Sequence, residues 1–559
     1  MPSIDPGTVA LARVPVHGGN GAVAAGHQAA ADVGLDTLKR GGNAVDAVIA
    51  AAFASFVVEP GMCGIGGHGR MSIYLPDRRI AVGIDHFIRA PAGATAERYR
   101  QAMTHRQNAG GTRSGSIGTT GHLSVGIPGA IAGLDEAHQR FGKMAWSDLV
   151  GPAIDLADAG LTVDARLAAQ IATRALELRG YPSAASWLLR DGLPPHAKTW
   201  SSAGDRLDFT AMARSLRQIR DHGAAAFYAG PIADAIERDM SAHGGVLTAR
   251  DLAHYRPHVF AQPVCRYRGH GYVTCGDLIS VEMLNILERL DVAGADYETA
   301  RFRHLFAEAL AQAFVDNLTF AGDPAHLPTP LDGLADKDYA AHVAQRIAVG
   351  RAQPAIRPGD PWEFQAQRGA EPPPPFEGTT QICAVDQQGM VVSLITSVGS
   401  SFGSLVMVPD TGILLGNAMQ WFDLREDRLN SIGPGRMPLY AAPVLIACDE
   451  TRATGALAGS GGYRIATAVL HPFVLKTDFG IGAQAALEAP RVHHQGEALL
   501  ADSRIPLAVR TELAAMGHRV EIVDARQANG GFGRPSGVWR EAEGWAAASD
   551  PMAGGVAAW

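Results

Sequence analysis

The spacing of apolar residues along the chain predicts both helices and strands. Small apolar residues over positions 21–38 predict a strand and then a helix that ends at Gly41-Gly42. Asn43 is a good N-cap for a second helix that reaches about Val58. Alanine and leucine stripes at helical spacing predict further amphipathic helices, interpreted as scaffold, over residues 130–141, 146–159, 165–178, 231–241 and 299–320.

A glycine-dense turn over residues 60–70 separates the early helices from predicted strands over 71–74 and 80–84. A Gly-Gly-Xaa-Gly loop can cradle phosphate. This loop, however, follows a helix and precedes a strand, which reverses the order of a dinucleotide-binding motif. We therefore expect its glycines to allow close backbone packing.

A polar Thr379-Thr380 pair opens an alternating apolar segment in the second half of the chain. A proline-rich stretch over residues 350–378 precedes it and has the composition of an extended linker. A turn at residues 386–389 makes a hairpin, and strands are predicted to predominate to about Ile446. A hairpin that begins directly after a flexible linker suggests that the chain is cut before Thr379.

Composition and charge exclude several classes of function. The 559 residues are 47% hydrophobic and 19% charged, and a net charge of −8 is small for this length, so nucleic acid is not an expected partner. The five cysteines are scattered without a Cys-Xaa2-Cys pair, which disfavours disulfide and zinc frameworks and favours a reducing compartment. The first residues lack the pattern of a signal peptide, and the most apolar run, 47–58, is too short for a bilayer. We expect a soluble cytoplasmic protein that does not bind membranes.

Thr379 becomes a candidate nucleophile if the Gly378–Thr379 bond is cut. The new α-amine would have an ordinary pKa of about 7.7–8.0 and could take the hydroxyl proton. Glycine at position 378 tolerates the strained backbone that such a cut requires. The alternative is an ordinary pair of threonines at the start of a strand, and the residues alone leave both interpretations open.

Gly461 and Gly462 are a second candidate element, directly before a helix predicted over about 464–475. Consecutive glycines in such a place can aim backbone N–H groups at a developing oxyanion, helped by the helix N-terminus. A tight turn from strand to helix is the alternative.

Other candidates for chemistry are weaker. The pair His493-His494 lies in a turn and His68 lies in the glycine loop, where histidines are usually structural or solvated. The His-Xaa3-His spacing at 254–258 contains a proline that disfavours a helix, and no His-Glu-Xaa2-His motif is present. The Gly-Xaa-Ser-Xaa-Gly string at 399–403 leads into a strand rather than the helix of a nucleophile elbow. We expect neither a metal nor a cofactor.

Several ordered motifs together resemble the γ-glutamyltransferase (γ-glutamyl transpeptidase) family of N-terminal-nucleophile hydrolases from about Gly21 to the C-terminus. They are Leu-Lys-Arg-Gly-Gly-Asn-Ala-Val-Asp-Ala (38–47), Val-Glu-Pro with Gly-Ile-Gly-Gly (58–67), Val-Gly-Ile-Pro-Gly-Ala-Ile-Ala-Gly (125–133), Phe-Gly-Lys (141–143), the stretch from Thr-Thr to Gly-Ile-Leu-Leu-Gly-Asn (379–417), Arg-Met-Pro-Leu (436–439), Gly-Ser-Gly-Gly-Tyr-Arg (459–464) and Ala-Pro-Arg-Val-His-His-Gln (489–495).

The resemblance implies an α+β fold, a four-layer α/β/β/α sandwich translated as one precursor. It implies self-cleavage before Thr379 into a large subunit, residues 1–378, and a small subunit, residues 379–559, which together form one intertwined domain.

The resemblance also implies catalytic roles. Thr379 is expected to be the nucleophile, with its own amine as the base. Ser397 falls where the family has a threonine that hydrogen-bonds to the nucleophile, so the hydroxyl is kept. Gly461 and Gly462 fall on the oxyanion-hole pair.

The residues that bind a γ-glutamyl group in the family are replaced here. Phe87 stands where an arginine holds the α-carboxylate, although Arg89 lies two positions on. Tyr440 and Ala441 replace two serines that share that carboxylate. The groups that hold the α-amine are replaced by Gly399, Ala418 and Trp421. The histidine that follows the threonine pair in the family is replaced by Gln381.

A site without those partners would desolvate a zwitterion without compensation. We therefore expect a more apolar, aromatic substrate site. The residues expected to bind substrate are Phe87, Arg89, Thr380, Asn417, Trp421 and Tyr440.

The leading hypothesis is a self-cleaving amidohydrolase or acylase that works through an acyl-enzyme on a small-molecule amide with a non-γ-glutamyl acyl group. One alternative is a true γ-glutamyltransferase or glutathione hydrolase. Another is a non-catalytic, unprocessed member with a binding role, which the retained hydroxyls and glycines argue against. The two fragments of the chain are expected partners of each other, and a homodimer or larger oligomer is compatible with the sequence.

Overall fold

The computed structural model describes residues 13–559 except 108–117, 293, 295, 324, 366–378, 427, 440, 441, 525–530 and 553. Three residues named above, Gly378, Tyr440 and Ala441, lie outside the described residues, as does the second half of the proline-rich linker.

Twenty-one strands are assigned within the described residues. They are β1 (Val16–Gly18), β2 (Ala22–Ala25), β3 (His68–Leu75), β4 (Ile80–His86), β5 (Leu161–Thr162), β6 (Arg206–Leu207), β7 (His258–Gln262), β8 (Cys265–Tyr267), β9 (His270–Val273), β10 (Thr380–Val385), β11 (Val391–Ser397), β12 (Met407–Val408), β13 (Ile413–Leu414), β14 (Leu445–Cys448), β15 (Ala453–Ser460), β16 (Val492–His493), β17 (Leu499–Asp502), β18 (Val520–Val523), β19 (Arg534–Glu541), β20 (Gly544–Ser549) and β21 (Gly555–Ala558).

Eighteen α-helices accompany them in the described part of the chain. They are α1 (Gln28–Lys39), α2 (Ala44–Val58), α3 (Ala96–Gln107), α4 (Ala130–Phe141), α5 (Trp146–Ala159), α6 (Ala165–Leu178), α7 (Pro182–Leu188), α8 (Thr210–His222), α9 (Ala225–Tyr228), α10 (Pro231–Ala242), α11 (Ala249–His254), α12 (Leu278–Glu288), α13 (Ala300–Phe320), α14 (Leu331–Ala335), α15 (Lys337–Ala344), α16 (Ile465–Phe479), α17 (Ala483–Glu488) and α18 (Leu507–Ala515).

Two antiparallel seven-stranded sheets form the centre of the molecule. One has the order β21-β2-β10-β11-β3-β4-β7, and the other has the order β1-β20-β19-β15-β14-β9-β8. Each sheet therefore contains strands from before Thr379 and strands from after it. We call them the nucleophile sheet, which contains β10, and the facing sheet, which contains β15 and β19.

Alternation along β10 shows how the layers are stacked. Ile382 and Ala384 face the core formed with helices α1, α2, α4 and α5, whereas Cys383 and Val385 face the core shared with the other sheet. On the far side of the facing sheet, α16 packs on β15 and α17 packs on β20. The α/β/β/α sandwich expected from the sequence is confirmed.

The helices that the sequence predicted begin and end close to the predicted positions. Residues 130–141, 146–159 and 165–178 match α4, α5 and α6, and Thr299 is the N-cap of α13 rather than its first residue. Asn43 caps α2 through a capping box with Asp46.

The expectation that strands predominate from Thr379 to Ile446 is wrong beyond β11. Residues 398–444 are mainly turns, with only the two-residue strands β12 and β13. Non-glycine residues with positive φ interrupt pairing there, among them Phe402 at 60° and Leu405 at 63°. The C-terminal tail, by contrast, supplies β20 and β21, because its small residues fit between packed layers.

All five cysteines are free. In the part of the chain that the structure describes, no helix has both the length and the apolar character that crossing a bilayer requires.

Candidate active site

Thr379 begins a row of four residues that crosses the end of the nucleophile sheet. Thr380 pairs with Thr396, so Thr379 lies opposite Ser397. Ser397 pairs with His68. Gly69 pairs with His86, so the next position along β4, Phe87, lies opposite His68. Adjacent strands are about 4.8 Å apart, which puts His68 roughly 10 Å and Phe87 roughly 14 Å from Thr379 across the sheet.

The row faces the other sheet rather than the helices. Gln381 Nε2 donates to Ser536 Oγ of β19 at 3.0 Å, whereas Thr380 Oγ1 donates to Glu59 Oε2 at the end of α2 at 2.7 Å. Because side chains alternate along a strand, Thr379 shares the face of Gln381. Thr380 was predicted to bind substrate, but its hydroxyl lies on the opposite face.

The Thr379 hydroxyl is buried and has no hydrogen-bond partner among the described residues. Ser397 Oγ accepts a hydrogen bond from the backbone N–H of Gly399 at 2.8 Å. A buried, unpaired hydroxyl costs free energy unless a reaction or ligand uses it. The structure thus places the hydroxyls of two neighbouring strands on one face at the predicted site of chemistry.

Asn417 supports the turn that follows Ser397. Its Oδ1 accepts from the N–H of Ser400 at 3.0 Å, and its Nδ2 donates to the carbonyl of Thr119 at 2.7 Å. Gly399 has φ +95°, and a Cβ there would lie 2.0 Å from Asn417 Oδ1. Asn417 was predicted to bind substrate. The structure instead uses both ends of its buried amide to hold the backbone.

Three aromatic rings meet at the far end of the row. The ring centroids of His68 and Phe87 are 4.6 Å apart in a T-shaped arrangement. Trp421 stacks on Phe87 at 6.0 Å and meets His68 edge-on at 6.1 Å. We call these three residues the aromatic wall. Phe87 and His68 are buried, whereas Trp421 is partly exposed, so the wall has one face that a ligand can reach.

A buried ion pair fixes the backbone of the aromatic wall. Arg70 Nη2 lies 2.6 Å from Asp85 Oδ2, and Asp85 Oδ1 accepts from the N–H of Phe87 at 3.0 Å. Burial alone would raise the pKa of Asp85, but the guanidinium groups of Arg70 and Arg89 and the hydrogen bonds from Arg70 and the Phe87 N–H together outweigh burial, and the pKa lies below its ordinary value. The end of β4, directly before Phe87, is therefore anchored by charge.

His68 provides a neutral ring. Burial, and then the neighbouring His86, lower the pKa of His68 well below its ordinary value. Glycines let its strand approach closely: a Cβ on Gly67 would lie 2.3 Å from the Ser397 carbonyl, and one on Gly69 would lie 2.1 Å from the Ile395 carbonyl. The interpretation of this loop as a close-packing element is confirmed.

Gly461 and Gly462 form a left-handed turn between β15 and a short 3-10 helix that leads into α16. Their φ angles are +127° and +70°, and neither N–H donates to a described residue outside the helix. Ser460 pairs with Arg534, which interacts electrostatically with Glu59, the partner of Thr380. The glycine turn therefore lies at the same end of the sandwich as the start of β10.

Arg89 does not point at the row as a free cation. Its Nη1 lies 3.6 Å from Asp323 Oδ2, and that carboxylate also accepts from the N–H of Met437 at 2.9 Å. The Arg89 side chain is 25% exposed. Its charge is already paired within the protein.

Sequence reasoning gave little weight to His68, which the structure places between Ser397 and Phe87. The only sign of His68 in the sequence was its position in the glycine loop, shortly before a predicted strand. Its importance depends on the register between β3 and β11, which no local pattern reports.

The structure is similar to a cephalosporin acylase from Bacillus halodurans, with a TM-score of 0.88, 27% identity, and coverage of 100% of this chain and 99% of the other. Among curated proteins, Acylase ACY 1 proenzyme from Pseudomonas sp. (strain SE83) is 34% identical over 97% of this chain and 95% of its own length. Glutathione hydrolase proenzyme from Pseudomonas sp. (strain A14) is 33% identical over 87% of this chain and 83% of its own length.

The sandwich and these likenesses define an amidohydrolase or acyltransferase with the fold of the N-terminal-nucleophile hydrolases. The family model described as Gamma-glutamyltranspeptidase matches residues 30–559. The chain belongs to the γ-glutamyltranspeptidase family.

Proposed function

We propose that this enzyme is a self-processing acylase that cleaves small-molecule amides with an apolar acyl group. The Gly378–Thr379 bond is cut by the protein itself, and the freed α-amine of Thr379 then serves as the base for its own hydroxyl. The hydroxyl attacks the amide carbonyl, the amine leaves with a proton, and water releases the acid from the acyl-enzyme. Ser397 supports the nucleophile, and the N–H groups of Gly461 and Gly462 stabilise the oxyanion.

The single observation that supports this substrate class is the aromatic wall in line with Thr379. An acyl chain bound at Thr379 and extended along the row would cross His68 and reach Phe87 and Trp421 within roughly 10–14 Å, the width of two to three strands. An apolar or aromatic acyl group would lose water there and contact rings. Two relatives whose names say acylase support the same direction.

A γ-glutamyl substrate fits this surface poorly. Its α-carboxylate would face Phe87, and the nearby guanidinium of Arg89 is held by Asp323. Burying an ionic group without a partner costs several kcal/mol. The resemblance to a glutathione hydrolase keeps γ-glutamyl transfer as the second candidate.

Two assays test the proposal in sequence. Purified protein analysed on a denaturing gel is expected to show fragments of about 40 and 19 kDa, in proportion to the two parts of a 58.7 kDa chain. The processed protein is then given 6-phenylhexanoyl and γ-glutamyl p-nitroanilides of equal concentration, because a 6-phenylhexanoyl chain is long enough to reach the aromatic wall from Thr379. We expect kcat/KM for the 6-phenylhexanoyl amide to be at least tenfold higher, a difference of about 1.4 kcal/mol. A single uncleaved band, or preference for the γ-glutamyl amide, would overturn it.

A further inference from the structure

A second cluster of reactive side chains lies away from the row, between α13 and the segment after α18. His304 and Glu308 are four residues apart on α13, so both project from one helix face. His518 reaches the same place from the C-terminal part of the chain. The candidate ligand atoms of these three buried residues all lie within 4.8 Å of one another.

We propose that His304, Glu308 and His518 bind a divalent first-row transition metal, with Zn²⁺ as the expected ion. Two imidazoles and one carboxylate are a donor set that zinc commonly takes. The proposal does not depend on the proposed acylase activity.

The hydrogen bonds around the cluster leave the right atoms for a metal. His304 Nε2 donates to the carbonyl of Ala348 at 2.8 Å, which leaves Nδ1 as the ring nitrogen that can bind a metal. A backbone carbonyl on the second ring nitrogen is the usual support of a metal-binding histidine. Glu308 Oε2 accepts from the side chain of Gln353 at 3.1 Å.

Glu308 Oε1 is the independent observation that points to a ligand. Glu308 is fully buried, and Oε1 has no hydrogen-bond partner among the described residues. It faces His518 Nδ1 at 4.0 Å, which is too long for a hydrogen bond. A buried carboxylate oxygen without a partner is costly, and a cation would satisfy it.

Little movement is needed to admit the ion. His304 Nδ1 and His518 Nε2 are 2.7 Å apart and share one hydrogen. Two nitrogens bound to zinc at about 2.0–2.1 Å in tetrahedral geometry are roughly 3.3 Å apart, so the rings must separate by about 0.6 Å. The His518 hydrogen moves to Nδ1 on binding, and no other proton need leave a histidine.

The site would join two parts of the chain. His304 and Glu308 precede Thr379, and His518 follows it, so after a cut at position 378 the metal would cross-link the two fragments. This consequence, unlike the site, rests on the proposed self-cleavage.

Metal content of the full chain tests the site. Protein dialysed against metal-free buffer is analysed by mass spectrometry for metals, and about one zinc per chain is expected. Glu308→Gln keeps the side-chain shape but removes the charge, and it should lose most of the metal. His243→Ala is the matched control, because His243 belongs to an exposed cluster with His122 and Asp239 and should leave the zinc content unchanged.

A spectroscopic test keeps the result independent of the folding of any variant. The unmodified protein is stripped with a chelator and titrated with Co²⁺, which should give saturable visible d–d bands of a tetrahedral site and raise the melting temperature. No stoichiometric metal in the isolated protein together with no saturable Co²⁺ spectrum would overturn the proposal. Equal loss of metal in His243→Ala would also contradict it, because the ion would then belong to the exposed cluster.

Discussion

The two ends of the row across the nucleophile sheet differ in kind. At one end, Thr379 and Ser397 present hydroxyls on adjacent strands, in the positions that the family resemblance predicts. At the other end, His68, Phe87 and Trp421 present rings, and the family resemblance predicts groups that bind a γ-glutamyl substrate at the positions of Phe87 and Trp421. The positions of the two hydroxyls depend on strand register, whereas the aromatic wall depends on a few side chains at strand ends and in turns. Chemistry can therefore be retained while the acyl group changes.

Removing the proposed nucleophile should have the largest effect, because it abolishes the reaction at the Thr379 end of the row and leaves the aromatic wall in place. Thr379→Ala is expected to remain as one chain and to lose at least a thousandfold in amide hydrolysis, because the hydroxyl forms the covalent intermediate. Thr379→Ser, which keeps a hydroxyl, is the control and should still process. A denaturing gel and an anilide assay check both variants. Full processing in Thr379→Ala would contradict the assigned cleavage chemistry.

Breaking the ion pair beneath the aromatic wall should chiefly affect stability. Asp85→Asn removes the carboxylate that pairs with the buried guanidinium of Arg70, and breaking such a pair costs about 3–5 kcal/mol. The free energy of unfolding from denaturant titration measures this loss. Asp158→Asn is the matched control, since its ion pair with Arg217 is exposed and should contribute about 0–1 kcal/mol. Similar losses in both variants would mean that the buried pair does not anchor the wall.

Replacing the partly exposed ring of Trp421 should change substrate preference without affecting self-cleavage. Trp421→Ala is expected to lower kcat/KM for a 6-phenylhexanoyl amide about 30-fold, or about 2 kcal/mol, because stacking area is lost. Trp421→Phe should recover most of it. Steady-state kinetics on processed protein provide the measurement. An unchanged kcat/KM in Trp421→Ala would remove Trp421 from the substrate site.

The smallest effect concerns His86, the buried histidine beside Phe87. Burial lowers its pKa to about 4, below the value of about 6.5 for an unfolded chain. The unfolded state therefore binds more protons between these values, and stability falls as the pH is lowered through that window. When the pH is lowered from 7 to 5.5, His86 should reduce the free energy of unfolding by about 1 kcal/mol. His86→Leu should show a shallower fall in denaturant titrations at the two pH values, and an identical fall would contradict it.

Local patterns predicted helices such as α2, α4, α5 and α6 well, because these depend on periodicity and capping close in sequence. Asn43 could be identified as an N-cap from its neighbours alone. The turns after β11 were not predicted; at Phe402, where φ is +60°, the N–H donates to the carbonyl of Gly61, which is distant in sequence. Small residues in β20 and β21 carry little pattern, and their strand conformation comes from packing.

Family motifs led to the expected catalytic residues, whereas a residue positioned only by strand register was overlooked. Thr379, Ser397 and the glycine pair could be named from the family resemblance. Asn417 and Thr380 were placed at the substrate, yet their side chains support the Ser397 turn and contact Glu59. His68 stands in the row because β3 pairs with β11, a contact more than 300 residues apart in sequence. Such contacts are set by tertiary packing, which overrides local preference.

The most direct test of the central claim is the ratio of kcat/KM for 6-phenylhexanoyl and γ-glutamyl p-nitroanilides, measured on the same processed protein. An aromatic wall in line with Thr379 predicts a ratio of at least ten in favour of the 6-phenylhexanoyl amide, and a ratio that falls toward one in Trp421→Ala. A ratio below one in the unmodified protein would contradict the account and would identify it as a γ-glutamyl enzyme.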